Sequence, residues 1–232
     1  MTSAGFSNPP NVKIIDDEPE KRAELGFEKY SNTIAEIIES SPAKFTVGIF
    51  GDWGIGKTTL MEMVWNKMKR DDKNILTVWF DAWRFEREEN IAVVPFLRTV
   101  AIELERNQQR LANKNKTWIR VKNAFRSAFV TFLKSSKFSI GVSDLAGYEL
   151  DFSKIVEAIE NNALPETGSQ VLYYEAIEYL RKAMEDLTKD NAESKIVVFI
   201  DDLDRCLPEN ALEVVESIKS LFDIPGFVFV MP

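Results

Sequence analysis

The chain has 232 residues, of which 45% are apolar and 28% charged, with one cysteine, no histidine and a net charge of −8. That length supports one large α/β core with decorations rather than two independent domains. A lone cysteine and the lack of a secretory leader fit a reducing, cytoplasmic setting, and the lack of histidine excludes imidazole-ligated metals and His-based triads.

Met1 to Val12 is small, polar and proline-bearing, and reads as a disordered tail ahead of one domain over 13–232. Glu18 to Ser40 has a helical pattern, with Leu25, Tyr30, Ile34, Ile37 and Ile38 near one face, and Ser41-Pro42 ends it. FTVGIF (Phe45–Phe50) is a short β-rich run of the kind buried on both faces of a parallel sheet. A glycine loop follows, then a helix from about Thr58 to Lys69. Ile75–Trp83 is the second strand signal, and Asn90 to Arg110 a helix. An insert occupies about 109–169. A long amphipathic helix from about Gln170 to Leu187 precedes a third strand, KIVVFIDD (Lys195–Asp202). Pro208 to Phe222 is a further helix with Pro in its first turn, and Gly226–Met231 a fourth strand. Alternation of strands and helices predicts a doubly wound, mostly parallel sheet with helices on both faces. The chain stops at Pro232 with no helix to cover that last strand, so it reads as C-terminally truncated.

GDWGIGKT (Gly51–Thr58) satisfies G-x-x-x-x-G-K-[ST] between a strand and a helix, the context its mechanism requires. Gly51, Gly54 and Gly56 permit positive φ and close backbone approach, so successive N–H groups can face phosphate oxygens, with the helix dipole behind them. The nucleotide-binding set is Gly51, Asp52, Trp53, Gly54, Ile55, Gly56, Lys57, Thr58 and Thr59. Lys57 would bridge the β- and γ-phosphates and the Thr58 hydroxyl would take one position on Mg²⁺. Trp53 either shields the phosphates or packs on the sheet edge.

The third strand ends in acid, as P-loop enzymes of the ASCE type require. That resemblance implies Asp201 on Mg²⁺ through water. It puts Asp202 where relatives carry a glutamate that polarises the attacking water, so Lys57, Asp201 and Asp202 form the catalytic set, and Thr58 and Asp201 the metal set. Aspartate is one methylene shorter than glutamate, which points to slow hydrolysis or rearrangement on closure. For Arg205, a local ion pair to Asp204 or another carboxylate is preferred over an arginine finger into a neighbouring subunit. For Asp81, a salt bridge to Arg84 is preferred over positioning water.

GIFGDWGIGKTTL, WFDAWRFE and VVFIDDLDRCLPENALEVVESIKSLF, in that order, resemble the KAP family of P-loop NTPases, an ASCE, STAND-like ATPase class. The resemblance covers most of Asp16 to Met231 outside the insert. It implies a 5-1-4-3-2-like strand order, ATP with Mg²⁺, and frequent membrane association. It also implies hydrolysis that drives a conformational switch in signalling or phage exclusion, with a homo-oligomer or a partner protein. Many relatives carry transmembrane helices between the P-loop and the acidic strand. No apolar run here approaches the ~20 residues that span a bilayer, since Arg98 interrupts the longest. Rival readings are a non-hydrolysing ATP-binding module and a small-molecule kinase. A GTPase is excluded by the lack of an N-K-x-D motif.

From Arg110 to Val142 there are eight Lys or Arg and no acid, a segregation that suggests a local partner. Trp118, Val121, Phe125, Ala128, Phe129, Phe132 and Leu133 share one helical stripe there. Packing of this stripe on its own domain is preferred; the alternative lays it on an anionic membrane at the inner face. Nucleic acid is the weakest reading, because no readout module accompanies the charge. Ser139–Phe152 alternates like a hairpin.

Overall fold

A computed structural model describes residues 26–70, 74–85, 93–135 and 169–232. The tail at 1–12, the start of the first predicted helix and the alternating segment at 139–152 lie outside these residues. In chain order the elements are α1 (Phe27–Ser40), β1 (Phe45–Gly48), α2 (Lys57–Arg70), β2 (Ile75–Asp81), α3 (Val93–Arg106), α4 (Gln108–Lys114), α5 (Thr117–Ser135), α6 (Ser169–Asp190), β3 (Lys195–Asp201), α7 (Pro208–Phe222) and β4 (Phe227–Met231). Single 3-10 turns at Trp83–Phe85 and Leu203–Arg205 follow β2 and β3.

The four strands form one sheet in the order β1-β4-β3-β2, and every pair is parallel. β1, which feeds the glycine loop, is therefore separated from β3, which ends in Asp201, by β4 alone. This is the 1-4-3-2 portion of the expected order. All seven residues of β3 are buried, because helices cover both faces. Ile196, Val198 and Ile200 face one core with Leu76, Val78, Phe80 and the inward sides of α3, α5, α6 and α7. Val197 and Phe199 face the other with Ile75, Val228, Val230 and side chains of α1 and α2. The two-residue period of a strand thus delivers alternate side chains to two separate cores.

The predicted helix over Asn90 to Arg110 is two helices. The break falls at Asn107, whose backbone (φ −98°, ψ 6°) leaves the helical range while its Nδ2 donates to the Glu103 carbonyl at 2.9 Å, a local bond of the kind Asn makes at helix ends. The insert joins the main core rather than decorating it. Trp118, Val121, Ala124, Phe125, Ala128 and Phe129 are all buried, and Phe125 lies 6.0 Å from the Phe227 ring at the start of β4. Its charges engage the chain as well: Arg120 pairs with Asp186 and Lys122 with Glu105. Arg110 donates to the Ile75 carbonyl. The packed reading of the stripe is the one that holds for the residues seen, leaving no described part of its apolar face toward a membrane; Phe132 and Leu133 lie outside the described side chains.

Where the strands begin, Lys195 is 1% exposed. Its ammonium donates to the carbonyls of Ile38, Glu39 and Ser41 at 2.9, 3.0 and 2.9 Å. These are carbonyls that the end of a helix leaves without intrahelical partners, so Lys195 both caps α1 and fastens it to β3. Beside it, the Trp118 indole donates to Asn74 Oδ1 at 2.6 Å, and Asn74 donates to Ser194.

Candidate nucleotide site

The loop Phe50–Gly56 joins β1 to α2, and Lys57 is the first helical residue. Gly54 and Gly56 have φ of 82° and 93°, a region that side-chain-bearing residues avoid. Gly51 does not share that conformation. A Cβ there would meet the Cδ1 end of the exposed Ile55 side chain, which can turn aside. Gly56 also backs onto the Phe27 ring of α1, 2.8 Å from where a Cβ would stand. Gly51, Asp52, Trp53, Gly54 and Ile55 are exposed, whereas Gly56, Lys57, Thr58 and Thr59 are half-buried. Trp53 is 74% exposed and so does not pack on the sheet edge.

The Thr58 hydroxyl, in the first turn of α2, donates to Asp201 Oδ1 at 3.1 Å. Asp201 ends β3, is 6% exposed, and lies in register with Asp81 at the end of β2. The sheet therefore brings together the two residues expected to share a metal, from positions 143 apart in sequence. Burial pushes the Asp201 carboxyl above its ordinary pKa; the Asp202 N–H and the Thr58 hydroxyl oppose that push, and the charges of Asp81 and Asp204 add to it.

Asp202 adopts φ 57° and ψ 24°, and it is the one non-glycine with positive φ among the described residues. Aspartate tolerates this left-handed region better than most residues, and strain of this sort concentrates at functional sites. The turn sends the chain directly into the 3-10 segment. Arg205 Nε then meets Asp202 Oδ1 at 2.6 Å, the local pairing expected for this arginine, with Asp202 as the carboxylate rather than Asp204. Burial raises the Asp202 pKa, the neighbouring Asp201 charge raises it further, and Arg205 pulls it down against smaller contributions from Asp81 and Asp204.

Two contacts depart from the sequence expectations. Asp81 Oδ1 accepts the backbone N–H of Arg84 at 3.2 Å, so the bond expected between the side chains runs to the main chain. Asp204, to which the sequence reading gives no role beyond pairing with Arg205, forms an ion pair with Lys57, its Oδ2 2.9 Å from Nζ. Lys57 also donates to the carbonyls of Gly51 and Asp52, both at 3.3 Å. The clue was available in the strand order, since a turn after β3 must lie near a loop after β1 when one strand separates them.

The geometry now in view is a glycine loop at the carboxyl end of a parallel strand, with a lysine and a hydroxyl opening the next helix. A buried carboxylate arrives from a strand two places away. The family model described as the KAP family P-loop domain matches residues 27–231, running through the insert as well as the three signatures. A protein of Methanocaldococcus jannaschii described only as uncharacterized is 25% identical over 182 residues, covering 68% of this chain and 91% of that protein. With the match extending over the glycine loop, the acidic strand and the helices between them, the chain belongs to the KAP family of P-loop domains.

Proposed function

We propose that the chain binds Mg-ATP and hydrolyses it, with the cycle driving a conformational switch of the signalling or phage-exclusion kind. The observation that carries this reading is the bond from Thr58 Oγ1 to Asp201 Oδ1. It sets a hydroxyl from the first turn of α2 and a buried carboxylate at one point beside Lys57. Both are hard oxygen donors, the kind that suits Mg²⁺. Four carboxylates (Asp81, Asp201, Asp202 and Asp204) act on one another here, and a divalent cation would relieve that like-charge crowding. Among the described residues no three acids or cysteines cluster closely enough to hold a metal alone. Thr58 and Asp201 would hold a Mg²⁺ at this place only together with phosphate oxygens and water, as in many nucleotide sites.

In this reading the N–H groups of Gly54, Gly56 and the first turn of α2 bind phosphate, Lys57 neutralises the developing charge, and Thr58 and Asp201 orient the cation. Asp202 accepts a hydrogen bond from the attacking water. A homo-oligomer or partner protein would receive the output in the cytoplasm. No described helix is long and apolar enough to cross a membrane.

The ion pair of Asp202 with Arg205 favours a second reading, a module that binds ATP without turnover, because the guanidinium occupies a carboxylate oxygen that would otherwise face the water. Calorimetric titration with Mg-ATP, followed by single-turnover hydrolysis, separates the two. Micromolar binding with turnover is the expected result. Binding without turnover selects the second reading, and no binding by the parent chain removes both.

A further inference from the structure

A lysine ammonium has three donors and no acceptor. Lys57 spends them on Asp204 Oδ2 and the carbonyls of Gly51 and Asp52, and the Asp204 contact is the short one that carries charge. A phosphate that takes Lys57 must displace one of these three acceptors, and Asp204 is the one whose negative charge it would replace in kind. The consequence does not stop at the lysine, because Asp204 is the middle residue of the one-turn segment Leu203–Arg205. The next residue, Arg205, holds Asp202 at 2.6 Å. Two backbone bonds close the segment, Arg205 N–H to the Asp202 carbonyl at 3.2 Å and Cys206 N–H to the Leu203 carbonyl at 3.3 Å. Because Asp204 and Arg205 are adjacent in one hydrogen-bonded turn, a shift of that turn at Asp204 carries Arg205 with it. The turn's two charged side chains reach solvent, Asp204 being 38% and Arg205 41% exposed.

We propose that Leu203–Arg205 is a latch released by phosphate: Asp204 competes with the nucleotide for Lys57, and its displacement lets Arg205 re-aim Asp202 at the attacking water. Asp204 is thus an internal competitor and Arg205 a positioning residue. The inference deepens the assignment of the loop as an Mg-ATP site and rests on it.

Asp204→Asn keeps the shape and removes the charge. It should bind Mg-ATP about fivefold to tenfold more tightly than the parent by calorimetry, the scale of one partly exposed charged hydrogen bond. Asp204→Ala should do the same, and melting curves of both variants show that they fold. Affinity unchanged or weakened in folded variants overturns the competition. A parent chain that binds no Mg-ATP overturns the nucleotide assignment itself, a different result.

Arg205→Gln should leave Mg-ATP affinity within about twofold and lower kcat about tenfold, with Arg205→Lys recovering part of the loss. Turnover by Arg205→Gln at the parent rate overturns the coupling. So does recovery of turnover on mixing Arg205→Gln with Lys57→Ala, because the arginine would then be acting on a neighbouring subunit.

Discussion

Where the strands begin, Lys195 is sealed beneath the end of α1 with three backbone carbonyls around its ammonium. Where they end, Lys57 likewise has three acceptors, but the closest is the carboxylate of a half-exposed side chain and the two carbonyls stand off at 3.3 Å. Both cations are satisfied, so satisfaction alone does not say which edge of the sheet works and which one holds. The partners do. Backbone carbonyls at a helix end cannot leave without unwinding the helix, whereas a carboxylate on a three-residue turn can leave with that turn. The edge built on main chain and buried rings is a clamp; the edge built on exchangeable side chains is a site.

Phe125→Ala should give the largest effect and test the clamp from the side of the insert. Truncating a fully buried phenylalanine costs about 3–5 kcal/mol, seen as a fall in Tm of roughly 6–20 °C for a chain of this size. Sedimentation with anionic vesicles should stay at the parent level, and loss of vesicle binding with unchanged Tm would return the stripe to the membrane. Lys195→Met comes next. Three carbonyls lose a charged donor, and a loss of about 3 kcal/mol is expected. Scanning calorimetry should show it, with Mg-ATP affinity at low temperature unchanged. Lys57→Ala inverts that pattern: Mg-ATP binding weakens about 10- to 100-fold while Tm moves by no more than a degree or two. Should Lys57→Ala melt as early as Lys195→Met, the two edges would not differ in kind.

The smallest effects belong to the acids. Asp202→Asn should retain Mg-ATP and stop hydrolysis in single-turnover assays, with little change in stability. Without Mg²⁺, Asp201→Asn should melt slightly above the parent, because it removes the group that burial and neighbouring charges press toward its neutral form. It should also need more Mg²⁺ to gain the usual stabilisation by Mg-ATP. A lower melting point would mean that the Thr58 bond to Asp201 outweighs the crowding.

Much of this division was legible because it is local. FTVGIF followed by GDWGIGKT names a strand, a loop and a helix start within a few residues, and KIVVFIDD carries its buried strand and terminal acid together. The helix Pro208–Phe222 falls where its proline and the break after Phe222 place it. What escaped depends on distant arrivals. A lysine opening a strand looks like a solvated end until α1 comes to it across 157 residues. Asp204 looks like the partner of the adjacent arginine until the strand order brings Lys57 closer. The break at Asn107 was missed for another reason: no glycine or proline marks it, only a side-chain amide turning back on its own helix.

The pairing of β1 with β4 also has a consequence for synthesis of the chain. Among the described residues β1 has β4 as its sheet partner, from Phe45 with Val228 to Gly48 with Met231. The strand that carries the glycine loop is thus made well before its partner and waits for Phe227–Met231 before it can be fixed. The span from Thr58 to Asp201 alone is 143 residues, which takes about 7–30 s at translation rates of roughly 5–20 residues per second. During that interval FTVGIF is an unpaired apolar strand, the kind of segment chaperones cover. Chains stalled before Lys195 should hold chaperone and retain no Mg-ATP, so that nucleotide loading reports the arrival of β3 and β4.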